Sequence, residues 1–304
     1  NKGSDQVVLV SLDTGIGDIA NNSTDLADEL LHVLNKTPKN QLVDISKRDH
    51  GHKCMSIMGA KHDGAEMAGI APNSGIWAYD VLTGTSLIEA LESAKTDRLQ
   101  HIQSNMNAGF SDAESELKLV FQHSIGPANQ GEIKDIVEWW GLKNNNYVEP
   151  LNYDYIHQTL LETKDYAFFA ASAGNGNKEN VAYTDGVTGP LAQLANQPDN
   201  KNGSIDIFGN IASVGALTSS SNPQLASNSN QGYNLTVVAP TNVYALDGDG
   251  KLDKYADGTS SAAPHVAGVA ALVWSENSNL YGDDIKKIIT HSAFDLGVLG
   301  KDDM

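Results

Sequence analysis

One cysteine, Cys54, stands alone in 304 residues, so no intramolecular disulfide can form and stability has to come from a packed core. A lone thiol is compatible with an oxidising or a reducing compartment and leaves that question open. There is no apolar run of membrane-spanning length and no internal repeat, which argues against a transmembrane helix and a solenoid. No Pro- or Ser-rich linker divides the chain, so residues 1–304 read as one domain of a size that single α/β domains reach. Basic residues are scarce: 20 Lys and Arg against 38 Asp and Glu give a net charge of −18. That balance argues against nucleic acid and anionic membrane as partners; it describes a solvated acidic surface that would also attract basic substrates. What the chain does have is 40% hydrophobic content, gathered in short buried runs.

Those runs alternate. The pattern predicts a strand over 6–12, a helix near 24–34, a helix over 51–60, a strand over 75–82, a helix over 86–96 and a strand over 101–107. Strands alternating with helices predict an α/β fold with a mainly parallel sheet and helices on both faces.

Four segments carry chemistry. In Gly258-Thr259-Ser260-Ser261-Ala262-Ala263-Pro264-His265, a serine opens a small-residue helix after a glycine turn, with Pro264 expected in the first turn. A helix N-terminus favours negative charge developing beside Ser260. The strand ending Ser11-Leu12-Asp13-Thr14-Gly15 delivers a carboxylate at a strand C-terminus, where open α/β sheets place their sites. His50 starts the small and apolar helix His50-Gly51-His52-Lys53-Cys54-Met55 and points toward a cleft. The strand Phe168-Phe169-Ala170-Ala171-Ser172-Ala173-Gly174-Asn175 ends on an amide able to donate to an oxyanion.

Asp13, His50, Asn175 and Ser260, in this order and these contexts, resemble the subtilisin-like serine proteases, the subtilases. The resemblance runs from about Val7 to about Ala293 and implies a three-layer subtilisin-like fold. It implies Ser260 as nucleophile, His50 as general base and then acid, and Asp13 fixing the His50 tautomer. Asn175 and the Ser260 N–H would hold the oxyanion. It further implies that Asn105-Met106-Asn107-Ala108-Gly109 is a strand pairing with substrate, through Asn107, Ala108 and Gly109, and that Ala173 and Gly174 contribute to substrate binding. The activity implied is serine endopeptidase on polypeptide substrates, secreted or extracellular, derived from a zymogen with an N-terminal propeptide. The alternatives are a transamidase or macrocyclase using the same triad, and a non-catalytic binding module.

Where subtilases read His-Gly-Thr-His, this chain reads His50-Gly51-His52-Lys53. Lys53 is expected to point outward, and helical spacing turns His52 away from His50. The same spacing argues against a metal site built from His50, His52, His62 and Asp63. Cys54, one turn beyond His50, would lie beneath the imidazole as a small buried filler, as in the proteinase K branch of the family. Two stretches exceed the compact family core, near 110–165 and 178–207, the first with helix-like runs over 112–123, 132–140 and 153–164; they are expected to shape substrate access. Asp247-Gly248-Asp249-Gly250 reads as a hairpin turn rather than a calcium loop. The resemblance implies catalysis without cofactor or metal; a structural calcium ion stays open. The run ending at Leu296-Gly297 stops before the Gly-aromatic-Gly segment of relatives, so the C-terminal end is expected to be incomplete, and the start at Asn1 suggests a processed chain.

Overall fold

A computed structural model describes residues 2–15, 31–34, 49–64, 67–81, 86–125, 153–176, 182, 187, 189–196, 208–218, 220–248 and 250–296. Seven strands form one parallel sheet in the order β2-β3-β1-β4-β5-β6-β7, with β1 at Val7–Asp13, β2 at Leu31–Leu34, β3 at Gly75–Asp80, β4 at Lys118–His123, β5 at Ala167–Ser172, β6 at Ile211–Leu217 and β7 at Val237–Pro240. β1 pairs with β3 on one side and β4 on the other, Asp13 opposite Asp80 and Leu12 opposite His123. The chain therefore reverses its direction of travel across the sheet at β1. The C-terminal ends of β1 and β4 flank that switch point, where such sheets bind ligands.

Because a strand is pleated, β1 divides its side chains between two cores. Val8, Val10 and Leu12 join α2 (Leu87–Asn107) and α4 (Tyr153–Glu162) in one, through Leu87, Leu91, Ile156 and Leu160. Val7 and Leu9 join α1 (Asp49–Gly59), α5 (Thr259–Glu276) and α6 (Gly282–Ser292) in the other, through Met55, Met58, Ala263, Ala267 and Ile285. The parity of the pleat puts Asp13 on the second face, with α1 and α5, whose first turns carry His50 and Ser260. The result is a three-layer α/β fold.

Several expectations change. α2 runs 21 residues, from a Ser86/Glu89 capping box to Asn107, so 101–107 is helix and not a strand. The 112–123 run is not a helix: α3 is the single turn Asp112–Ser115, capped by Ser111 and Glu114, after which Glu116 is extended and β4 begins. The predicted insertion near 110–165 therefore contains β4 and α4; of the residues between them, 126–152 lie outside the described residues. Of the stretch near 178–207, Val187, Leu191, Ala192 and Leu194 are buried in the α2/α4 core. In the predicted 24–34 helix, Leu31–Leu34 is strand β2 and 24–30 lies outside the described residues.

Asp247 to Lys251 is the turn between β8 (Val243–Leu246) and β9 (Leu252–Ala256), an antiparallel hairpin. Asp247 Oδ1 accepts the Lys251 N–H, and the Gly248 N–H donates to Asp49 Oδ1 at the start of α1. Among the described residues no helix is long and apolar enough to cross a membrane.

Candidate active site

Two glycines set the site. A Cβ on Gly51 would come within 2.2 Å of the Gly15 carbonyl oxygen, so only glycine lets α1 seat His50 against the end of β1. Gly258, the residue before α5, has φ +73°, and a Cβ there would meet the Asn175 amide at 2.7–2.9 Å. The turn that leads into Ser260 and the amide therefore close on each other because position 258 has no side chain.

His50 Nδ1 lies 2.7 Å from Asp13 Oδ1, which also accepts the Thr14 N–H at 2.7 Å. Asp13 is fully buried. Burial alone would raise its pKa, but the facing His50, their hydrogen bond and the Thr14 N–H outweigh it, and the carboxyl stays below the ordinary value. The Asp13 charge in turn raises His50 above the ordinary histidine value, against burial and Lys53. His123, at the end of β4, is buried and pushed down to about 4, so it stays neutral. His52 is 1% exposed, both ring nitrogens lack hydrogen-bond partners, and burial lowers its pKa. It stands apart from Asp13, leaving His50 as the histidine at the carboxylate. Lys53 does not simply point outward: its Nζ pairs with Asp253 on β9 and ties α1 to the hairpin that leads into Ser260.

Ser260 is the second residue of α5, and in a first turn its N–H has no intrahelical carbonyl to bond. Pro264 is the sixth residue of α5, not in the first turn as the sequence suggested. Its missing N–H leaves the Ser260 carbonyl without the usual i+4 donor. Two side chains take that place, Cys54 Sγ at 3.3 Å and Ser124 Oγ at 3.2 Å. Proline thus frees a carbonyl that ties the Ser260 turn to α1 and to the residue after β4. The Ser260 hydroxyl donates to the Ser124 carbonyl at 3.3 Å. Cys54 is buried beneath α5, in keeping with its expected role as filler, and burial followed by the Asp13 charge holds its thiol protonated.

Asn175 accepts at Oδ1 from the Thr259 N–H at 2.8 Å and the Thr259 hydroxyl at 3.0 Å. With the oxygen so engaged, the amide nitrogen is the group left to donate outward. The same Thr259 hydroxyl accepts the Gly174 N–H at 3.1 Å. Ala173 is fully buried, with its N–H on Val214 and its carbonyl accepting the Gly189 N–H. Only Gly174 of that pair has surface to offer.

Asn107, Ala108 and Gly109 are not brought to the site. They end α2 and are exposed, ahead of α3 and the start of β4, whereas Asp13 and Ser124 lie at the opposite, C-terminal ends of the strands. The residue after β4 that meets Ser260 is instead Ser124. Sequence reasoning missed it; the signal was the β-rich run Leu117-Lys118-Leu119-Val120-Phe121 and the serine after it. Asp13, His50 and Cys54 each offer a ligand atom within 4.8 Å of the others, and among the described residues this is the one such cluster.

The model of the subtilase family, peptidase S8, matches residues 4–304. A subtilisin of Bacillus sp. (strain TA39) is 22% identical over 307 residues, covering 98% of this chain and 63% of that protein. The chain thus spans less than two thirds of that relative's length. The solved S41 psychrophilic protease superposes with a TM-score of 0.61 at 20% identity, covering 96% of this chain and 84% of that one. A cold-adapted subtilisin-like serine proteinase gives 0.61 at 19% identity, covering 96% and 85%. At such identities the solved structures speak for the fold. The family match extends over nearly all of the sequence, and the chain belongs to the subtilase family.

Proposed function

We propose that this chain is a serine endopeptidase that hydrolyses peptide bonds through an acyl-enzyme. The observation that carries the reading is the 2.7 Å contact between His50 Nδ1 and the buried Asp13 carboxylate. It holds the proton on Nδ1 and leaves Nε2 as the acceptor for the Ser260 hydroxyl, once that hydroxyl turns from the Ser124 carbonyl. Ser260 Oγ attacks the scissile carbonyl carbon, His50 takes its proton and Asp13 stabilises the imidazolium. The negative oxygen meets the Ser260 N–H and the Asn175 amide nitrogen. His50 then returns the proton to the leaving amine, and water, activated by the same base, releases the acyl group. A peptide would lie beside Ser124, after β4, and Gly174, after β5, the two strand ends that touch the start of α5.

This reading brings a polypeptide substrate, a propeptide removed in maturation and action outside the cell; family membership supports these. Mass spectrometry of a diverse peptide library, incubated with wild-type chain and with Ser260→Ala, tests it. Cleavage by wild type that vanishes in a folded Ser260→Ala variant is expected. Cleavage retained by Ser260→Ala, or none by folded wild type, would overturn it. Incorporation of heavy oxygen from labelled water into the new carboxylates separates hydrolysis from acyl transfer to an amine.

A further inference from the structure

Asn175 is followed by Gly176, and an asparagine before glycine is the one most open to attack by the next backbone nitrogen, because no side chain hinders the approach. The deprotonated Gly176 nitrogen attacks Asn175 Cγ, a succinimide ring closes, and the side-chain nitrogen leaves as ammonia, carrying the proton that Gly176 lost. Water then opens the ring to aspartate or isoaspartate. Nothing is oxidised or reduced. The Thr259 N–H and hydroxyl, which aim the Asn175 amide by donating to its Oδ1, also polarise that carbonyl. On the side of the electrophile the site therefore favours the reaction.

On the side of the nucleophile it opposes it. Gly176 is buried, and its N–H donates to Asn230 Oδ1 at 2.9 Å. Asn230 is 0% exposed and anchored in turn: its own N–H donates to the Gly174 carbonyl at 3.0 Å, and its Nδ2 donates to the Ala173 carbonyl at 3.4 Å. One residue from a distant part of the chain thus grips Ala173, Gly174 and Gly176, on both sides of Asn175. An N–H held by a buried acceptor gives up its proton less readily, and turning its nitrogen toward Cγ forfeits that bond in a site closed to water.

We propose that Asn175 is a self-modification site held shut by Asn230: deamidation there inactivates the chain irreversibly, and the hydrogen bond from Gly176 to Asn230 sets its rate. The product carries a carboxylate where the amide would donate, so a developing oxyanion would face negative charge. That loss of activity rests on the peptidase reading; the modification does not.

The test uses the Ser260→Ala chain, to prevent self-digestion, with and without Asn230→Ala or Asn230→Asp, incubated folded and in urea in mildly alkaline buffer. Peptide mass spectrometry reads aspartate and isoaspartate at position 175, and amide hydrogen exchange reads the Gly176 N–H. Deamidation at Asn175 is expected to be at least about tenfold slower folded than unfolded, and Asn230→Ala should speed both it and Gly176 exchange about tenfold, the worth of one buried hydrogen bond. Asn230→Asp keeps the acceptor and should stay close to the parent, which a general loosening of the loop would not allow. Equal rates in folded and unfolded chain, no deamidation at Asn175 in the unfolded chain, or rates unchanged by Asn230→Ala would overturn the proposal. The folded-against-unfolded comparison and the Gly176 exchange of the parent need no Asn230 variant, so they decide even if Asn230→Ala fails to fold. None of these readouts needs turnover, so failure here is distinguishable from failure of the peptidase reading.

Discussion

The two faces of the sheet are built from different side chains. Against α2 and α4 the core is bulky, with Leu87, Leu91, Leu119, Ile156, Leu160 and the stacked Phe121 and Phe169, whose ring centroids are 4.5 Å apart. The other face also buries Phe168, Met55, Met58 and Trp274, but it is richer in alanine, and the first turns of α5 are small: Ala262, Ala263 and Ala267, in one cluster with Ala170 and Ala212. Small residues let helix and sheet backbones approach closely, so the start of α5 sits within hydrogen-bond reach of the ends of β4 and β5, at Ser124 and Gly174. The bulky face supplies buried area; the small face fixes position. Substitutions on the bulky face should lower stability and spare turnover per folded molecule. Those on the small face, or at the strand ends it serves, should lower turnover.

The largest break in this contrast comes at the strand end. Asp13→Asn should keep the fold and lower kcat by about 10⁴-fold, the loss known for the same change in a chymotrypsin-type triad. The pH profile sharpens it. The Asp13 charge raises His50 above 6.5, and the base must be neutral, so activity is lost as pH falls through that raised value. The acid limb of kcat/KM in wild type should therefore have its midpoint above 6.5, and Asp13→Asn should move it lower. Asn175→Ala should lower kcat by roughly 10²–10³-fold with little change in KM, the loss known for subtilisin itself. On the bulky face, Leu91→Ala should cost about 2–5 kcal/mol in denaturant unfolding with kcat unchanged. On the small face, Ala267→Leu should cost about 1–3 kcal/mol by overpacking yet also reduce kcat, because α5 would be pushed from the strand ends. Equal effects of Leu91→Ala and Ala267→Leu on kcat would remove the contrast.

The small face and the strand ends are the most legible parts of the sequence. β1, α1, β3, β5 and α5 fall where hydrophobic runs and chemistry-bearing residues place them, since Asp13, His50, Asn175 and Ser260 each stand at an element end marked by a glycine. β4 escapes the pattern for a physical reason. Ser111 and Glu114 form a true capping box, so the sequence after them carries a helix start, but the helix lasts one turn before Glu116 turns extended. Meanwhile α2 continues past residue 96 to Asn107 with Ile102 as its one β-branched residue there, and its end, Asn105-Met106-Asn107-Ala108-Gly109, reads as a strand through the family resemblance, while its Asn, Ala and Gly have little strand preference. Residues 31–34 are ambiguous because a short apolar run fits a strand or a buried helix equally well. The role of Pro264 is hidden too, since nothing in its own segment names Cys54 and Ser124 as the donors that replace its N–H.

A fluorophosphonate probe followed by peptide mapping tests the central claim most directly. The account predicts one covalent adduct, on Ser260, formed by wild type and lost in His50→Ala while the far-ultraviolet circular dichroism stays unchanged. No adduct in folded wild type, or an adduct on another serine that survives His50→Ala, would contradict it.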